Sequence, residues 1–202
     1  NAMSNLAVFM FPCLSDNYCS LVHDADSGMT AIIDAPDEAA IKAAIAETGW
    51  TPTHILVTHH HWDHTQAIPA LKKAYGLTVI GPRDEADKIA DLDLDYGDGD
   101  SFTFGGHEVR VIGAPGHTLG QVTYWIPDAD LAFTGDTLFA MGCGRVFEGT
   151  PEMMWETLDK LAASLPPETR IYCGHEYTLA NAKFAITVDP ENSALSSRLD
   201  TV

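Results

Sequence analysis

Seven consecutive residues, Thr58-His59-His60-His61-Trp62-Asp63-His64, hold four imidazoles and one carboxylate directly after the apolar stretch 55–57. Imidazole nitrogen and carboxylate oxygen are the donors that zinc, iron and manganese accept. His59, His61, Asp63 and His64 therefore read as a metal cradle at a strand end. If the two flanking histidines converge on one ion, His60 points elsewhere, so it takes no ligand role. A purification-tag-like His run would not interleave Trp62 and Asp63.

The second half supplies further donors at comparable places. Gly116-His117 follows the apolar run 109–114, Gly135-Asp136 follows 131–134, and Gly174-His175 follows 170–173. Each comes directly after a glycine, which lets backbone turn sharply or approach closely around a compact site. A single His at such a junction is more often structural. Three donors in this position beside the HxHxDH segment point to a metalloenzyme.

The elements that must carry these residues follow from periodicity. Short β-rich runs at 6–11, 18–23 and 30–34 are broken by turns at 15–17 and 27–28. A helix at 37–48 has Ile41 and Ile45 at helical spacing and stops at Gly49. A strand at 54–57, the metal loop, a helix at 66–75 and a strand at 78–81 come next. The acid-rich stretch 84–100 lacks the oxygen spacing of an EF-hand and reads as a solvated helix and turn. Strands are expected at 101–104, 108–112, 121–126, 131–134 and 170–173. Between the last two, Thr150 caps a helix with Pro151 first and Met154, Leu158 and Leu161 on its apolar face.

A chain of 202 residues with 46% hydrophobic content can bury one sizeable core, as a two-layered single domain. Its 11 basic and 29 acidic residues give a net charge of −18. Such a surface repels phosphate backbones and anionic lipid, which disfavours nucleic-acid, nuclease and membrane-surface roles. Cys13, Cys19, Cys143 and Cys173 form neither a CxxC pair nor a disulfide scaffold, as expected of reduced thiols in a cytoplasmic protein. The run 6–11 has no basic region before it and is too short to span a bilayer, so it reads as a first strand. Asn1-Ala2 ahead of Met3 reads as a remnant of cloning.

HxHxDH at 59–64, GHT at 116–118, GDT at 135–137 and GHE at 174–176 together resemble the metallo-β-lactamase superfamily. Within it THHHWDH, FTGDTLF (133–139), GCGRVFEGT (142–150) and GHEYT (174–178) are most similar to the glyoxalase II (hydroxyacylglutathione hydrolase) family. The resemblance implies an α/β fold, a four-layer αββα sandwich with the site at one edge between two sheets. It implies a catalytic domain over 1–190, with 191–202 a remnant or start of a C-terminal helical segment. It places one divalent ion on His59, His61 and His117, a second on Asp63, His64 and His175, and Asp136 between them. The ligand set, free of thiolate, admits zinc first, and iron or manganese.

The activity implied is hydrolysis of S-(2-hydroxyacyl)glutathione, such as S-D-lactoylglutathione, to D-lactate and glutathione. A metal-bridging hydroxide held beside the catalytic carboxylates Asp63 and Asp136 would attack the thioester carbonyl. The ions, the two carboxylates and hydroxide leave a local charge of about +1, suited to an anionic thioester. By similarity Arg145 and Tyr177 touch the glutathione moiety, and Phe147 stands where some members have tyrosine. Asp34 is either a carboxylate orienting the metal loop or a cap of the following helix. Cys143, without an adjacent base, is expected to be structural. Members of the family usually continue into a small helical domain whose basic residues grip glutathione. The tail 192–202 offers only Arg198, which predicts weak glutathione affinity or another thioester.

Rival readings are a mononuclear-iron persulfide dioxygenase, another superfamily hydrolase acting on lactones or other thioesters, and a non-catalytic metal-binding module. A β-lactamase would commonly carry cysteine where Asp136 falls. Oligomeric state is not encoded in any motif.

Overall fold

A computed structural model describes residues 5–202; residues 1–4, on which the reading of Asn1-Ala2 as a remnant of cloning falls, lie outside the described residues. Chain order sets up two sheets in succession. Strands β1 (Leu6–Cys13), β2 (Asn17–Asp24), β3 (Thr30–Ile33), β4 (His54–Leu56), β5 (Thr78–Pro82) and β6 (Leu94–Tyr96) form the first, in sequential order. Its first three strands pair antiparallel and the rest parallel, with α1 (Glu38–Thr48), α3 (Ile68–Tyr75) and a 3₁₀ turn (Arg83–Lys88) supplying the three crossovers. Strands β7 (Ser101–Phe104), β8 (His107–Gly113), β9 (Val122–Ile126) and β10 (Leu131–Gly135) form an antiparallel meander in the second sheet. The outer strand β13 (Arg170–Cys173) joins β10 in parallel after α4 (Pro151–Ser164).

Alternation along the first sheet decides where its side chains go. Leu21, Ile32, Ile55, Val57 and Val79 face one way and pack with Ile41, Ala44, Ile68 and Leu71 of the helices. Their neighbours Val22, Ala31, Ile33, Leu56 and Ile80 face the second sheet and pack with Val109, Val111, Tyr124, Leu131 and Phe133. A period of two thus builds two cores. The single core expected from composition is corrected on this point, because the first sheet is covered on both faces. Met154, Thr157 and Leu161 of α4 are buried, and Thr157 donates to the Pro115 carbonyl at 2.6 Å, so α4 closes over the end of β8. The layering is the four-layer αββα expected.

Local signals account for the helix ends. Asp37 accepts the Ala39 amide and Gly49 closes α1 at φ 71°, while Thr150 accepts the Met153 amide ahead of Pro151. Other bounds differ from expectation. Helix α3 starts at Ile68 rather than 66, because Pro69 has no N–H and fits only in a first turn; a separate turn, α2 (Trp62–Thr65), precedes it. Thr157, rather than Leu158, completes the buried face of α4. The stretch 84–100 is a 3₁₀ turn (Arg83–Lys88) followed by β6, and Glu85 within it is buried. Two short strands, β11 (Leu138–Phe139) and β12 (Gly142–Cys143), and two terminal helices, α5 (Thr178–Val188) and α6 (Ser193–Thr201), complete the chain. Among the described residues no helix is long and apolar enough to cross a membrane.

Candidate metal centre

One strand end of the first sheet, that of β4, and three of the second, those of β8, β10 and β13, deliver the donors to one edge. The chain leaves β4 at Val57, and the Thr58 carbonyl accepts the Val122 amide at 3.0 Å while the Tyr124 hydroxyl donates to the Val57 carbonyl at 2.6 Å. The metal loop is thereby tied to the second sheet. Turn α2 then presents Asp63 and His64. Because β10 and β13 are parallel, with Gly135 opposite Cys173, Asp136 and His175 emerge side by side. Gly174 permits that approach, since a Cβ there would strike Asp136 Oδ1 and lie 2.9 Å from His64 Cε1.

The seven expected donors all converge. His59, His61 and His117 form one group, and Asp63, His64, Asp136 and His175 a second, each with its donor atoms within 4.8 Å of one another. Asp136 Oδ2 joins the groups: it lies 3.2 Å from Nε2 of His64, 3.2 Å from that of His117, 3.1 Å from that of His175 and 3.6 Å from that of His59. His61 is turned the other way, with Nδ1 3.1 Å from His117 Nε2. Asp63 Oδ2 lies 3.3 Å from Nε2 of both His64 and His175.

The far ring nitrogens are each held. The His59 Nδ1 meets Thr58 Oγ1 at 2.9 Å, that of His64 meets Asp34 Oδ2 at 2.9 Å, that of His117 donates to the Arg145 carbonyl at 2.7 Å, and that of His175 meets Asp16 Oδ1 at 2.9 Å. An acceptor on the far nitrogen takes the single proton of a neutral imidazole, so the near nitrogen then offers its lone pair inward, as a ligating imidazole requires. Thr58 fits this scheme, because its hydroxyl donates to Asp34 Oδ2 at 2.8 Å and so accepts from His59. Asp34 is thus the orienting carboxylate of the two alternatives, and the cap of α1 is Asp37 instead.

Charge in the cluster calls for cations. His59 Nε2 and Asp136 Oδ1 are buried without a hydrogen-bond partner, a costly state for polar atoms. Burial keeps the His59 imidazole neutral, its pKa lowered to about 4. Burial acts against ionisation of Asp136 and Asp63, yet contacts with the surrounding imidazoles hold both carboxyls well below the usual range. Burial likewise acts against a charge on His64 and His175. It is outweighed by Asp136 and Asp34 at His64, which is pushed well above the ordinary value, and by Asp136 and Asp63 at His175, which rises to about 10. Two protons therefore sit where cations would satisfy the same carboxylates, and the donor set fits divalent metal.

A cleft of about 600 Å³ opens onto these donors. Arg145, Phe147 and Tyr177 all line it, as do Phe139, Cys143 and Asn181. The Tyr177 ring stacks on His175, with centroids 5.3 Å apart and planes at 5°. Phe147, largely exposed, covers His117 at 5.3 Å. Cys143 is exposed in the cleft wall, and burial of its surroundings raises its thiol pKa.

Sequence reasoning missed the partners behind the donors. Asp16, Thr58, Asn17 (donating to Asp63 Oδ2 at 3.1 Å), Glu85 and Glu148 sit in no donor motif. Only proximity to a turn or to the HxHxDH segment hinted at Asp16 and Thr58.

The family model of the metallo-β-lactamase superfamily matches residues 18–175. A hydroxyacylglutathione hydrolase of Rhizobium meliloti is 57% identical over 97% of this chain and 76% of its own length. One of Brucella anthropi is 56% identical over 96% of this chain and 74% of its own. Among solved structures, the di-iron-bound form of TTHA1623 superposes with a TM-score of 0.69 at 29% identity, over 83% of this chain and 91% of that one.

Proposed function

The chain belongs to the metallo-β-lactamase superfamily, and we propose that it is a two-metal thioester hydrolase acting on S-(2-hydroxyacyl)glutathione, with S-D-lactoylglutathione the representative substrate. The observation that carries this reading is the place of Asp136 Oδ2, within 3.2 Å of His64, His117 and His175 and thus shared by both donor groups. One ion would be held by His59, His61 and His117, the other by Asp63, His64 and His175, with Asp136 common to both. Zinc suits the nitrogen and oxygen donors, and iron and manganese are accepted by the same set. When bound, two such ions acidify water and polarise a carbonyl at neutral pH, so the site needs no side-chain nucleophile.

The chain's own residues do the rest. Asp63 and Asp136 stay ionised, and the five imidazoles are held with a nitrogen turned inward. Phe139 and Tyr177 form an apolar wall that places an acyl group against the donors and limits water to that edge. The Arg145 guanidinium in the cleft lining suits a glutathione carboxylate or peptide carbonyl, which offsets the acidity of the chain as a whole. Tyr177 places its ring beside His175 and its hydroxyl near Asp16, so it bounds the pocket rather than titrating; burial and Asp16 push its pKa to about 12.

Relatives named hydroxyacylglutathione hydrolase support the glutathione thioester over the rival substrates. We read residues 1–190 as the catalytic unit, since every donor lies within it. A cytoplasmic setting accords with four free cysteines. Metal analysis joined to a thioester assay tests the reading. Two ions per chain with release of free thiol support it, whereas one iron per chain with oxygen consumption would replace it with persulfide oxidation.

A further inference from the structure

Glu85 is the one carboxylate of the acid-rich stretch 84–100 that turns inward, and it is 1% exposed. Its two oxygens serve two different loops. Oε1 accepts the His60 amide at 2.7 Å and meets the His60 ring Nδ1 at 2.6 Å. Oε2 accepts the Thr118 hydroxyl at 2.5 Å and the Gly120 amide at 2.9 Å. The fit is close, because a Cβ on Gly120 would come within 2.6 Å of Glu85 Cγ.

The bonded residues share one property: His60 adjoins both His59 and His61, and Thr118 adjoins His117. These three are the members of the first donor group. The second group has other supports, Asp34 behind His64 and, through Thr58, also behind His59, Asp16 behind His175 and Asn17 behind Asp63. The His60 ring, which carries no donor role, extends the clamp: its Nε2 lies 3.4 Å from Glu148 Oε2, and the same oxygen lies 3.4 Å from His61 Nε2.

We propose that Glu85 is a positioning residue of the three-histidine donor group, one carboxylate that fixes the residue next to each of His59, His61 and His117. The proposal rests on the two-ion reading above. Four donors on one buried carboxylate satisfy its desolvated oxygens and leave neither loop free to shift without breaking charge-assisted bonds. Glutamine keeps the shape but presents an NH₂ to one of the two loops, where only donors face it. Geometry at His59, His61 and His117 then loosens, while Asp63, His64 and His175 keep their partners.

The test is titration of metal-free wild type, Glu85→Gln and Thr118→Val with cobalt(II), following the visible absorption of each ion alongside thermal unfolding. Wild type should bind two ions. In E85Q one ion keeps its affinity and spectrum, and the other weakens about 10–100-fold, the usual effect of removing support behind metal ligands. T118V, which removes one of the four donors, should weaken the same ion less and covers the case in which E85Q does not fold. Equal weakening of both ions, or of neither, overturns the proposal, since a general loss of stability has no reason to choose between the groups. Should wild type itself bind a single ion, the two-ion reading falls, and the clamp still stands or falls on whether E85Q weakens that ion.

Discussion

Asp34 Oδ2 lies 2.9 Å from Nδ1 of His64, and Asp34 itself sits at φ 60° in the left-handed region. A non-glycine residue rarely adopts that conformation, and here it brings one carboxylate against both Thr58 and His64. Metal loop and strand end are thus coupled through a buried residue that does not line the cleft.

Asp34→Asn keeps the left-handed backbone, which asparagine tolerates, but turns an NH₂ toward the Thr58 amide or toward its hydroxyl and His64. Metal affinity should fall about 10–100-fold, with turnover recovering when metal is added in excess. Competition with a chromophoric chelator reads this directly. Unchanged affinity would show that His64 is oriented by packing alone.

Metal uptake should release protons and tighten as pH rises. In the metal-free protein His64 lies well above the ordinary imidazole value and His175 at about 10, so at neutral pH both hold protons that a cation must displace. The same raised values stabilise the metal-free fold fully below the unfolded value of about 6.5, and that stabilisation is lost as pH climbs toward 10. Calorimetric metal titrations in two buffers of different ionisation enthalpy should give different apparent heats. Identical heats would mean that the imidazoles are already neutral.

Arg145 acts on the site in two separable ways. Its carbonyl holds His117 Nδ1 at 2.7 Å, while its side chain lines the cleft. Arg145→Ala keeps the first and removes the second, so metal content should be unchanged and KM for glutathione thioesters should rise about tenfold, with kcat little altered. A fall in kcat at constant KM would assign the guanidinium to the chemical step.

The donors were legible in the sequence because each sits at a strand end behind a local signal: an apolar run, then glycine or the HxHxDH cluster. The αββα layering was legible through the resemblance those motifs carry and through the element order. What holds the donors was not legible. Asp16 reaches His175 across 159 residues and Glu85 reaches Gly120 across 35, and neither pairing leaves a periodic trace. Glu85 was masked further by its acidic neighbours, which make 84–100 read as solvated although one side chain in it is buried among four donors. Strand β6 was missed for the same reason, since parallel pairing with β5 decides it and its three residues Leu94, Asp95 and Tyr96 show no apolar run.

Hydrolysis of S-D-lactoylglutathione by protein loaded with two equivalents of zinc tests the central claim most directly, with thioester loss and free thiol followed together. Stoichiometric thiol release that disappears in the metal-free protein and returns on reloading is the predicted result. Absence of turnover in protein verified to carry both ions would contradict the assignment of a glutathione thioester to this site.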